Sequence, residues 1–166
     1  MAVENLKSTS ITNDDATPVV LNNPGAGGIA LRSEANDYAT ISASASVGST
    51  YRLVRVPTTA RDVSITFESE AQGAGKFQIG VYAPNGGAVV SVSLFANDID
   101  CASAVLPTNE TNNGGSYTLD KRKQPLWQAA GAASDPGGFY DIAATVHTTA
   151  VTTGTGKLGL RASFVQ

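Results

Sequence analysis

The sequence predicts an all-β protein: an antiparallel β-sandwich of the jelly-roll kind, carrying an extended N-terminal arm. Three observations lead there. Branched residues dominate, with 15 Val, 7 Ile and 17 Thr against 10 Leu, 5 Glu and 5 Lys among 166 residues. Such side chains lose rotamer freedom in a helix and fit a pleated surface. Apolar and polar residues alternate at period two in three long segments, the mark of strands with one buried face. Clusters of Gly, Asn, Asp and Pro separate the segments at the short spacing of a sandwich, with no room for strand–helix repeats.

Taken in order, a short strand is expected near Thr17–Leu21, followed by Tyr38–Val47, which alternates strictly but offers mostly alanine to a core. Thr50–Val56 reads as a strand with mixed faces. Arg61–Glu68 sets Val63, Ile65 and Phe67 on one side, and Lys76–Tyr82 repeats the plan with Phe77, Ile79 and Val81. Gly87–Phe95, a short piece at Ser116–Leu119, and Phe139–His147 follow. Lys157–Val165 closes the series with Leu158, Leu160, Ala162 and Phe164 inward. The connecting turns are Gln72–Gly75, Pro84–Gly87, Asn112–Gly115, Asp135–Gly138 and Thr153–Gly156, all rich in residues that initiate turns or tolerate positive φ. A helical turn or two is expected only within Ser93–Ala104 and Pro125–Ala133.

The organisation is asymmetric. Residues 1–48 carry few large apolar groups and are read as an extended arm, at least over Met1–Asn36, with the first edge segments. Residues 49–166 are read as the sandwich domain. A segment that buries so little does not offset the entropy of ordering itself alone, so the arm is expected to lie on its own domain or on a neighbouring subunit.

Composition excludes several function classes. A net charge of −3 and a pI near 5.0 argue against nucleic acid as a partner, since phosphate binding needs a basic footprint. No apolar run approaches the roughly 18 residues of a membrane-spanning helix, so no membrane partner is expected. Met1–Asp15 has no apolar stretch of the signal-peptide type. The single cysteine, Cys101, permits no internal disulfide and no thiolate zinc site, and without basic neighbours it reads as a structural thiol. His147 is the lone histidine, so a triad or multi-histidine metal site is not available within one chain.

Other motifs resolve to surface chemistry. Glu68 and Glu70 share a strand face about 6–7 Å apart at Cα, a spacing that overlaps glycosidase carboxylates, but they run into a Gly-rich turn and read as solvated charges. Gly73-Ala74-Gly75-Lys76-Phe77 lacks the leading glycine and the Ser or Thr after lysine that a phosphate loop needs. Gly25-Ala26-Gly27-Gly28 has no strand–helix frame, and Asn97, Asp98 and Asp100 lack the distal glutamate of a calcium loop. No catalytic residue, metal or cofactor is therefore expected. Lys121-Arg122-Lys123 is the one concentrated basic spot, with Pro125-Leu126-Trp127 just beyond it. Lys121, Arg122, Lys123, Leu126 and Trp127 are the candidate interface residues, because Trp and Arg dominate binding hot spots. The alternative is that Trp127 plugs the end of the sandwich.

Four stretches carry a resemblance: Ser49-Thr50-Tyr51-Arg52-Leu53-Val54-Arg55-Val56-Pro57; Phe67-Glu68-Ser69-Glu70-Ala71-Gln72-Gly73-Ala74-Gly75; Asp120-Lys121-Arg122-Lys123-Gln124-Pro125-Leu126-Trp127; and the Asp135-Pro136-Gly137-Gly138 turn. Over roughly residues 49–165 the chain resembles small virion structural proteins of tailed bacteriophages, some of which are capsid cement or decoration proteins with jelly-roll folds. The resemblance implies a non-enzymatic virion protein made in the host cytoplasm and bound at the capsid surface. Its partners would be the major capsid protein and further copies of itself, as a dimer or trimer, with no cofactor. It supplies no catalytic or capsid-contact residues to carry over. A head–tail junction or tail protein is the nearest alternative. A carbohydrate-binding sandwich, with Tyr82, Tyr117, Trp127 and Tyr140 as stacking residues, is the more distant one.

Overall fold

The computed structural model describes residues 32–41, 44–152 and 156–166. Eight strands carry the fold: β1 (Arg32–Thr40), β2 (Thr50–Pro57), β3 (Arg61–Ser69), β4 (Lys76–Tyr82), β5 (Val89–Asp100), β6 (Val105–Asn109), β7 (Phe139–Val146) and β8 (Lys157–Val165). A 3-10 turn at Lys121–Lys123 and one short helix, α1 (Leu126–Ala129), lie between β6 and β7. The first sheet has the order β1-β8-β3-β6 and the second β2-β7-β4-β5, with every pairing antiparallel. First pairs with last, second with seventh, third with sixth and fourth with fifth. The chain is thus one long hairpin wrapped into two sheets, which is the jelly-roll topology the alternation predicts.

The inner faces are those expected. Val63, Ile65 and Phe67 from β3 and Leu158, Leu160, Ala162 and Phe164 from β8 meet Phe77, Ile79 and Val81 from β4 across the core. Each large side chain buried this way contributes about 1.5–3 kcal/mol. The Asn85-Gly86 tip of the β4–β5 hairpin takes positive φ at both residues, as its sequence predicts.

Several elements differ from expectation. The strand expected at Tyr38–Val47 lies at Arg32–Thr40 instead, where an unbroken ladder from Arg32↔Val165 to Thr40↔Lys157 holds a segment too poor in apolar groups to look like a strand. Arg32–Asn36, read as part of the arm, belongs to that ladder; the rest of the arm and the Thr17–Leu21 strand lie outside the described residues. So does most of the Thr153–Gly156 turn. Ser93–Ala104 is strand over most of its length, because β5 runs on to Asp100 through a wide bulge. Ser116–Leu119 is not a strand, and the edge position goes to Val105–Asn109, whose proline and polar residues masked it. Pro125–Ala133 holds the one α-helical turn among the described residues.

The bulge in β5 depends on Gly80. Between the pairs Ile79↔Ala96 and Val81↔Ser91, β5 advances five residues while β4 advances two. The looped backbone presses onto β4 so closely that a Cβ on Gly80 would lie 2.1 Å from the Ser91 carbonyl oxygen. Gly80→Val should therefore cost about 3 kcal/mol or more through overpacking. Thermal unfolding checks this; a variant with the parent Tm would show that the strand crossing is not tight.

Candidate functional site

The basic run sits on a rigid foundation. Tyr117 is fully buried, its hydroxyl accepts the Val63 N–H at 3.0 Å, and its ring meets Phe95 edge-on at 5.0 Å. Burial pushes its phenol up to about 12, so it stays protonated and fixed. Four residues on, the chain makes the 3-10 turn, and Arg61 donates from β3 to the Lys123 carbonyl. Pro125 then starts α1, whose first N–H groups donate outside the helix: Leu126 to the Ala60 carbonyl at 2.8 Å and Trp127 to the Thr58 carbonyl at 3.0 Å.

This end of the sandwich gathers charge. Arg32 and Arg61 both lie opposite Val165, one on each side of β8. With Lys121, Arg122 and Lys123 they make up five of the 11 basic residues in the chain. Arg32 pairs with Asp62 at 2.5 Å, an exposed contact worth under about 1 kcal/mol. Among the described residues, Lys121, Arg122 and Lys123 form no ion pair, and the buried Nε of Arg122 has no acceptor.

The expected contact residues divide between surface and core. Lys123 is exposed and Lys121, Arg122 and Trp127 are half-buried. Leu126 is 0% exposed, which corrects its placement among interface candidates: α1 lies across the sandwich end with Leu126 and Ala129 turned inward. Trp127 packs its inner part against that core and keeps its remainder at the surface. Of the four stacking residues named for a sugar-binding reading, Tyr82, Tyr117 and Tyr140 are buried, and Trp127 is half-exposed. Cys101 is fully buried, and burial pushes its thiol up to about 12, as befits a structural residue. His147 is half-buried beside Asp98, 3.5 Å from its Oδ1 without hydrogen-bond geometry. Lys76 and Thr148 donate to the same carboxylate and hold it below its usual range. Glu68 and Glu70 are exposed, and Glu70 accepts the Lys157 N–H at 2.9 Å. Among the described residues, no three His, Cys, Asp or Glu side chains converge as metal ligands. No described helix is long and apolar enough to cross a membrane.

One network was not visible in the sequence. On the outer face of the second sheet, Asp141 is buried and receives Arg55 Nε at 2.6 Å and Arg52 Nη1 at 3.2 Å. Arg52 also donates to the Ala83 and Gly87 carbonyls at 2.7 and 2.6 Å, clasping the β4–β5 hairpin, and lies 5.1 Å from the centre of the Tyr82 ring. Tyr82 reaches along the sheet to share a 2.5 Å hydrogen bond with Thr145. Period-two counting puts Arg52 and Arg55 on opposite faces. A bulge between Arg52 and Val54 brings both beside Asp141.

Two tests follow from these contacts. Leu126→Ala should lower stability by about 2–5 kcal/mol, the cost of a core cavity, whereas Trp127→Ala should cost clearly less; denaturant titration of both separates the roles. For Asp141, burial opposes ionisation, but the hydrogen bonds and charges of Arg55 and Arg52 outweigh it and hold the carboxyl below its usual range. The unfolded chain therefore takes up this proton first as pH falls, so the contribution is full above about pH 5 and is lost progressively toward the folded value. Asp141→Asn should lower Tm at neutral pH, by about 1–2 kcal/mol in stability, and flatten the loss of Tm on acidification. Parallel melting curves for variant and parent across that range would refute the assignment.

No protein-family model matches the sequence, and no curated protein matches it. The fold is similar to that of a chain in the solved cyanophage Pam1 capsid asymmetric unit, with a TM-score of 0.51 and 12% identity, covering 91% of this chain and 96% of that one. At that identity the two chains share a fold.

Proposed function

We propose that this chain is a bacteriophage virion structural protein that binds and stabilises the capsid shell, in the manner of a cement or decoration protein. The near full-length likeness of its fold to a chain of a phage capsid carries the reading. The resemblance of its strand and turn sequences to small virion proteins supports it. A wrapped sandwich suits the task physically, because a protein that covers seams between subunits works through area and repetition, with no need for a deep pocket. Self-association as a dimer or trimer would multiply that contact.

The basic end is the contact surface this reading favours. Lys121, Arg122 and Lys123 form no ion pair among the described residues, so an acidic seam on the major capsid protein would pair with the charge they leave at the surface. Trp127, half-exposed beside them, supplies the apolar anchor. Nothing in the reading requires an enzymatic step.

Co-sedimentation with capsids of the phage that encodes the chain tests it. The parent should pellet with the shells, and raising salt should weaken the association. Reversing the two lysine charges, Lys121→Glu and Lys123→Glu, should lower affinity by about tenfold or more while Tm stays near the parent value. Recovery of the chain with tails, or its absence from mature particles, would overturn the capsid role.

A further inference from the structure

The outer face of the first sheet carries a groove away from the basic end. It consists of two adjoining lobes of about 370 Å³ each, which share Tyr38, Glu68, Pro107 and Gly159. The register explains the hollow. Tyr38 of β1 lies opposite Gly159 of β8, which lies opposite Glu68 of β3, so the middle position has no side chain of its own and the Glu68 side chain lies low across it as the floor. Tyr38 stands on one bank, 62% exposed, and Leu106 on the other, 79% exposed. Lys157 holds its ammonium 5.0 Å from the centre of the Tyr38 ring, which fixes the ring as a wall before any ligand arrives.

The next row supplies polar groups. Asn36, Arg161 and Thr66 lie side by side across β1, β8 and β3 and line the same groove. None of these three, and neither oxygen of Glu68, has a hydrogen-bond or ion-pair partner among the described residues. Glu68 and Arg161 are diagonal neighbours of opposite charge on one face, yet they do not pair. An acceptor-only carboxylate, a donor-only guanidinium, an amide and a hydroxyl therefore stand open beside an apolar wall.

We infer that this groove binds a neutral oligosaccharide, its sugar C–H faces against Tyr38 and Leu106 and its hydroxyls on Glu68, Arg161, Asn36 and Thr66. Each sugar hydroxyl both donates and accepts, so it suits a lining that mixes the carboxylates of Asp37, Glu68 and Glu70 with the cations of Lys157 and Arg161. An ionic ligand would satisfy one of Glu68 and Arg161 and oppose the other. The open, elongated shape admits a chain of rings, where an enclosed pocket would admit one. This is a different site from the one the sequence suggested for sugars, because Tyr38 is at the surface where Tyr82, Tyr117 and Tyr140 are not. It is also apart from the basic end, about 13 Å along β1 from Arg32 to Asn36 by strand rise.

The probes are hexasaccharides of glucose, mannose, galactose and N-acetylglucosamine, titrated into the full chain and followed by amide NMR. Saturable shifts centred on Tyr38, Glu68, Gly159 and Arg161 are expected with at least one probe. Gly159→Val should push the Glu68 side chain up into the groove, since a Cβ there would lie 2.6 Å from Glu68 Oε1, and should weaken binding about tenfold. Tyr38→Ala and Arg161→Ala are surface changes that should weaken it comparably with Tm unchanged, and they decide the matter if Gly159→Val unfolds. No saturable shift with any probe, or binding that survives Tyr38→Ala and Arg161→Ala, overturns the inference. So does loss of capsid co-sedimentation in these variants, which would assign the groove to a protein partner; the basic-end charge reversal, by contrast, should leave sugar binding intact.

Discussion

The fold depends on a second sheet whose outer face is polar and partly buried, with Asp141, Thr145 and Tyr82 covered and Arg55 reaching the surface. Its inner side is apolar and ordinary. Its outer side cannot be, because it is built from the alternate residues of the same strands: Thr50, Arg52, Arg55, Asp141, Thr145 and Tyr82. Burying such a layer is tolerable only when every polar group finds a partner. Asp141 meets two arginines, Arg52 continues to two carbonyls, and Tyr82 closes onto Thr145. The small residues Gly80 and Ala143 occupy the middle row of that layer, and the looped backbone of β5 lies directly against Gly80. Packing and polar satisfaction are thus one constraint here, and the β4–β5 hairpin is held in place by it.

The first sheet works under the opposite condition. Its outer face is open, its edge strands β1 and β6 are poor in core residues, and its stability comes from the ladder along β8 and from the inward side chains of β3 and β8. Among the described residues that face leaves the side chains of Glu68 and Arg161 without an ion-pair partner. The basic end belongs to neither face: it is a cap of loop and helix, with Tyr117 and Leu126 buried beneath it and cations left on top.

Legibility followed the strength of the local pattern. Arg61–Glu68, Lys76–Tyr82 and Lys157–Val165 could be read because the apolar residues their alternation sets inward are all buried, although β4 is buried at its polar positions as well. Arg32–Thr40 could not, since Ala35 and Ala39 are too small to announce a buried face and the strand exists through its pairing with β8. The long course of β5 was hidden for a related reason: three consecutive buried residues, Leu94, Phe95 and Ala96, break alternation where the strand bulges. The basic run was visible as a charge cluster, but that Leu126 faces inward while Trp127 lies half outside depends on how α1 docks against Thr58 and Ala60.

By itself the sequence determined the layered all-β architecture, the inward faces of its best strands and the positions of its turns, because each rests on interactions between near neighbours in the chain. Only the tertiary structure decided which polar residues meet. Asp141 joins Arg52 and Arg55 across 86 or more positions, and the groove draws on β1, β3, β6 and β8. Such meetings are set by sheet register and by bulges, and a one-residue shift in register moves a side chain to the other face. No local pattern records that choice.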